Sequence, residues 1–148
     1  MKTLNYNPGL IPNSPPPKEN EIVTIKIDGL PPYKDRSFSI RNKRHKIHKR
    51  FITLRETAIK EMKGRAWFNG PIRMDITINC PIDKRERPIY IYAGGIADSL
   101  DGSHGQTFTY LPIVYEDDGQ ICEGSMKFID DPNLSYTIKI QFLPNTIE

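Results

Sequence analysis

The sequence predicts an α+β domain, a single mixed sheet with one basic helix packed across it. Three observations carry this. Ile47, Phe51, Leu54, Ala58 and Met62 recur at spacings of four, three, four and four, the apolar stripe of an amphipathic helix. Ile72, Met74, Ile76 and Ile78 alternate with Arg73, Asp75, Thr77 and Asn79, the period of a half-buried strand. Strand patterns both precede and follow the helical stripe, an order that suits one sheet with a helix across it.

Taken in order, residues 1–20 are rich in Pro, Asn and Ser, with Pro15, Pro16 and Pro17 consecutive, and predict a flexible tail outside the fold. Residues 21–148 form the domain. IVTIKI, Ile22 to Ile27, is β-branched and bounded by Asp28-Gly29, a first strand. Pro31-Pro32 forbids helix in the cationic loop that follows. The helix runs from Ile47 to about Lys63, with Gly64 as its stop, and His48, Lys49, Arg55, Lys60 and Lys63 lie off the stripe on the outer surface. After the Ile72–Asn79 strand come a charged loop, Pro81 to Pro88, and a short strand, Ile89 to Ala93, which Gly94-Gly95 breaks. QICEGSMKF and SYTIKIQFL are the last two strands, joined by the turn residues Asp130 to Asn133.

A chain of 148 residues suits one domain with one core, and 37% hydrophobic with 26% charged residues is a globular balance. No apolar run approaches the ~20 residues that span a bilayer, and the amino end lacks a continuous apolar segment, so a cytoplasmic protein is expected. Cys80 and Cys122 have no C-x-x-C partner, which points to buried free thiols on strands. Net charge is +3, unevenly spread. From Lys34 to Arg65 twelve Lys and Arg face three acids, whereas from Asp98 to Asp131 eight acids face Lys127 alone. Such halves suit a protein that grips a polyanion and holds cations near it. Two oppositely charged surfaces pairing across a dimer would give the same pattern.

Two short stretches could carry chemistry. In ADSLDGSHG, Ala97 to Gly105, Asp98 and Asp101 are three apart and share a face on a helical turn, with His104 three further on. In VYEDDGQI, Val114 to Ile121, Glu116, Asp117 and Asp118 stand in a row. The residues alone fit a helix cap and a solvated turn, or an oxygen-rich site of the kind Mg²⁺ prefers. Lys34, Arg36, Arg41, Lys43, Arg44, Lys46, Lys49 and Arg50 are candidate phosphate contacts, which would position a nucleic acid without reading its sequence. Trp67, Phe68 and Tyr115 read as core.

The stretch Gly29-Leu30-Pro31-Pro32-Tyr33-Lys34-Asp35-Arg36, the basic helix after it and the closing Glu116-Asp117-Asp118-Gly119-Gln120-Ile121 together resemble the RusA family of Holliday junction resolvases, over roughly Ile22 to Phe142. The resemblance implies a RusA-like fold and a Mg²⁺-dependent endonuclease of DNA recombination and repair. It would act as a homodimer on four-way or other branched DNA and cut by paired nicks. It also implies metal-binding roles for Asp98, Asp101, Asp117 and Asp118, and catalytic roles for Asp98, Asp101, Asp118 and His104. His104 or Lys127 would stand for the family's lysine. The departure lies in the middle, where no D-x-D-N-x-x-K occurs and Asp98 to Gly105 takes its place. In a second register ADSLDG falls on a later helix of the family, and the first acids are missing from Ile89 to Gly95. The chain would then be a decayed nuclease that binds branched DNA without cutting it.

Overall fold

A computed structural model describes residues 2–3, 13–33, 47–102, 108–109 and 112–145. Its elements are β1 (Lys2–Thr3), β2 (Ile22–Asp28), α1 (Ile47–Met62), β3 (Ile72–Asn79), α2 (Ile89–Leu100), β4 (Phe108–Thr109), β5 (Ile121–Ile129) and β6 (Ser135–Phe142). The four longer strands make one mixed sheet in the order β2-β6-β3-β5, while β1 and β4 form a short parallel pair. β6 runs antiparallel to both neighbours, and β3 and β5 are parallel. A parallel pair needs a crossover connection, and α2 lies in it.

Period two explains the sheet. Val23, Ile25 and Ile27, Ile72 to Ile78, and Tyr136 to Phe142 place their alternate side chains on one buried face. That face meets α1 over β2 and α2 over β5, and the helices pack on each other. The opposite face carries Thr24, Lys26, Arg73, Asp75 and Lys139 and stays open to solvent in part. There Arg73 binds Asp75 at 2.9 and 3.0 Å, and the Ser125 hydroxyl donates to Asp75 at 2.7 Å. These bonds hold the Asp75 carboxyl below its usual range, Arg73 contributing most.

The α+β class, the first helix and four of the expected strands are observed. Lys63 and Gly64 take positive φ, +55° and +81°, and end α1 at the expected place. Three expectations are corrected. Ile89 to Ala93 is helical rather than a short strand, and α2 runs straight through Gly94-Gly95. The reason is packing. Tyr92, Gly95, Ile96, Ser99 and Leu100 are its buried residues, at helical spacing, and a Cβ on Gly95 would stand 2.2 Å from the Pro32 carbonyl oxygen. Glycine there admits the neighbouring chain instead of breaking the helix. Arg55 is fully buried, not on the outer surface, because it lies four residues after Phe51 and three before Ala58, beside the stripe. Cys80 is buried as expected, but Cys122 is exposed, since β5 is the sheet's edge. Within residues 1–20, the chain from Asn13 onward lies against the domain. Ser14 bridges Arg65, Asn13 N–H donates to the Gly64 carbonyl at 2.9 Å, and Pro17 is buried.

Candidate metal centre

Three of the sequence-predicted acids converge. Asp98 lies in the last turn of α2, Asp101 is its C-terminal cap residue, and Asp118 opens the short 3-10 turn Asp118–Gln120. One carboxylate oxygen from each lies within 4.8 Å of the others. Asp101 is buried, Asp98 half-buried and Asp118 exposed, so the cluster opens outward on the Asp118 side.

The chain brings the two segments together through backbone bonds. Ile113 and Val114 N–H groups both donate to the Leu100 carbonyl at 3.2 Å, and Gly102 N–H donates to the Glu116 carbonyl at 3.2 Å. The Tyr115 hydroxyl donates to the Ala97 carbonyl at 2.6 Å. From the other side, one guanidinium nitrogen of Arg55 donates to the Ser99 and Asp101 carbonyls at 2.9 and 3.1 Å. The last carbonyls of a helix lack intrahelical donors, and Arg55, Tyr115 and the 113–114 amides supply them. Gln120 fixes the turn. Its carbonyl oxygen accepts from Glu116 and Asp117 N–H at 2.9 and 3.0 Å, and its amide donates to the Phe68 and Gly70 carbonyls at 2.8 and 2.9 Å.

Tyr115 reports on the charge above it. Burial first, and then the nearby Asp101, Asp118, Asp98 and Asp117, push its hydroxyl well above the ordinary tyrosine range. Each pair of carboxylate charges at such spacing repels by about 1 kcal/mol in water and about 3–4 kcal/mol at an effective dielectric near 20. All the ligand atoms are oxygens, a hard donor set. The cluster could bind a metal ion.

The remaining site residues lie elsewhere. Asp117 is outside the three-acid group; it stands in extended backbone and caps the 3-10 turn. His104 and the basic residues Lys34, Arg36, Arg41, Lys43, Arg44 and Lys46 lie outside the described residues. Lys49 is exposed in the first turn of α1. Arg50 is committed to the fold, with a two-pronged pair to Glu86 at 3.0 and 3.2 Å and a bond to the Pro31 carbonyl at 3.4 Å. Lys49, Arg50 and Lys84 also line a cavity of about 470 Å³ whose apolar wall includes Leu30 and Leu134. Lys127 lies on β5, far along the strand from the turn that holds Asp118. At ~3.3 Å per residue, the six steps from Ile121 place it roughly 20 Å from the start of that strand.

Three positioning residues were not expected from sequence: Arg55, Tyr115 and Gln120. For Arg55 the available signal was its place beside the helical stripe; Tyr115 and Gln120 carry no local signal of their contacts. Compared with protein-family models and with curated proteins, the chain matches none. What stands is a small α+β domain with a three-aspartate cluster able to take a metal ion.

Proposed function

We propose that this protein is a divalent-cation-dependent endonuclease acting on branched DNA, with Asp98, Asp101 and Asp118 as its metal ligands and Mg²⁺ as the ion. One observation carries the reading: two segments distant in sequence deliver three carboxylates to one spot, within 4.8 Å of each other. The crowding is offset in part by the Arg55 guanidinium, which donates to the Asp101 backbone carbonyl. A divalent cation held by the three carboxylates would offset their mutual repulsion, neutralise phosphodiester charge and acidify water. Asp118, on the exposed side, gives access to a large substrate, while buried Asp101 is held by its backbone. The basic segment that begins at Lys34 supplies phosphate contacts on this reading, and the exposed Lys49 and Lys84 are further cations for the same role. Paired nicking takes two copies of the chain, as the RusA resemblance implies.

A second reading has an observation of its own. The helix over Ile89–Leu100 places ADSL near a helix end, which favours the register in which the family's first acids are missing from Ile89 to Gly95. On that reading the protein binds branched DNA and leaves it intact. A labelled synthetic four-way junction, incubated with and without Mg²⁺ and resolved on denaturing and native gels, separates the two. Paired nicks that require metal, lost in Asp118→Asn while the shifted complex persists, are the expected result. A shifted but uncut junction with the unaltered protein transfers the assignment to the binding reading, and undiminished cutting by Asp118→Asn removes the metal centre from the mechanism.

A further inference from the structure

Tyr136 lines the cavity of about 470 Å³ bounded by α1, the ends of β2 and β6 and the turn that starts at Ile82. It is 1% exposed, yet its hydroxyl has no hydrogen-bond partner among the described residues. Burial pushes that hydroxyl well above the ordinary tyrosine range, so at neutral pH it is a donor. A buried hydroxyl left unbonded costs about 1–3 kcal/mol, which an occupant bringing an acceptor removes. The charges around it are not all spent on each other. Arg50 and Glu86 pair at 3.0 Å, whereas Lys49, Lys84 and Asp28 make no ion pair with a described residue. Ile27, Leu30 and Leu134 supply the apolar wall.

We propose that this cavity is a binding site for a nucleoside monophosphate, with its phosphate on Lys49 and Lys84 and its base against Ile27, Leu30 and Leu134. Each part of the lining meets one part of that ligand. Two lysines from separate elements, neither held by an acid, suit a phosphomonoester of about −1.5 to −2 charge better than a carboxylate. Aliphatic side chains cover the flat face of a base. Asp28 accepts from a base amine or a sugar hydroxyl, and Tyr136 donates to a base or phosphate acceptor. Cavities of about 300–1,000 Å³ take ligands of this size. The same chemistry comes from a free nucleotide or from the phosphorylated end of a strand. None of these residues belongs to the three-aspartate cluster, so the inference holds or fails apart from the metal centre.

The test is calorimetric titration of the full chain with deoxyadenosine monophosphate in EDTA, where no cation on the aspartates can bridge to phosphate. Residues 34–46 join Tyr33 to α1 and lie outside the described residues, so the full chain matters: a cavity they filled would bind nothing. One nucleotide per chain is expected. Tyr136→Phe keeps the ring and weakens binding about three- to tenfold, and Lys84→Ala, at an exposed position, weakens it about tenfold. Urea midpoints verify that both variants fold. Inorganic phosphate and deoxyadenosine each bind at least about tenfold more weakly than the nucleotide, since each fills half of the site. Displacement by an oligonucleotide with a terminal phosphate assigns the site to a strand end, and its failure to displace assigns it to the free nucleotide; both support the site. No binding at millimolar nucleotide, an affinity unmoved by both substitutions, or phosphate alone binding as tightly as the nucleotide each overturns the proposal.

Discussion

Arg55→Leu tests whether the metal cluster and the fold share one support. The guanidinium is fully buried between α1 and the end of α2 and donates to the carbonyls of Ser99 and Asp101. Leucine and the arginine stem bury comparable apolar area, so the hydrophobic contribution nearly cancels. What is lost is two hydrogen bonds from a charged donor, about 1.5–3 kcal/mol each, for a total of about 3–6 kcal/mol. Urea unfolding followed by tyrosine fluorescence measures it; with a slope of about 2 kcal/mol per molar, the midpoint falls by roughly 1.5–3 M. The same substitution frees the backbone at Asp101, so the folded fraction of the variant binds Mn²⁺, a stand-in for Mg²⁺, more weakly than the unaltered chain. A stability loss below about 0.5 kcal/mol would refute the reasoning, since that is the range of an ordinary surface change.

Tyr115 gives stability an alkaline edge. Its hydroxyl pKa is raised in the folded state, so the stability it contributes is complete below pH ~10 and is lost as pH rises through the folded value. Tyr115→Phe flattens that decline above pH ~10 in urea midpoints, while costing about 0.5–1.5 kcal/mol at neutral pH for the lost bond to Ala97. The adjacent glycines of α2 behave oppositely. Gly94→Ala, with nothing within 4 Å of the new methyl, stabilises by up to about 1 kcal/mol, whereas Gly95→Ala meets the Pro32 carbonyl and destabilises by about 1–3 kcal/mol in the same assay.

The parts of the fold legible in the sequence were those where one period had one cause. β3 alternates because one face is covered by helices and the other is partly wet, and α1 shows its stripe because its exposed side has no packing demand. α2 was misread because Ile-Tyr-Ile-Tyr alternates as a strand would, while Gly95 is chosen by its contact with Pro32 and the helix's end is held by Arg55 through the Ser99 carbonyl. Those contacts cross from one element to another, and no window of local sequence contains them. Asp98 and Asp101 were legible as a pair from their spacing. The approach of Asp118 depends on the bonds from residues 113 and 114 to Leu100 and on Gln120 reaching Phe68 and Gly70, which are tertiary facts.

The position of the acids on α2 argues against a purely structural role for them. A carboxylate serves the start of a helix, where unsatisfied N–H groups need acceptors. Asp98 and Asp101 stand at the other end, where the unsatisfied groups are carbonyls and an ionised carboxylate has no proton to give them. The helix dipole is also negative there, so each acid in the last turn costs about 0.3–1 kcal/mol, and α2 has no basic residue in that turn to offset it. Arg55 reaches in from α1 to bind the carbonyls, which is the work a C-terminal cap requires. Helix stability alone therefore gives no reason for these acids, and a cation held between α2 and the Asp118 turn would supply one. Such an ion would serve a nuclease, and equally a protein that uses it to join two segments without cutting. The two differ in whether a phosphodiester is cut, and the junction assay reads that directly.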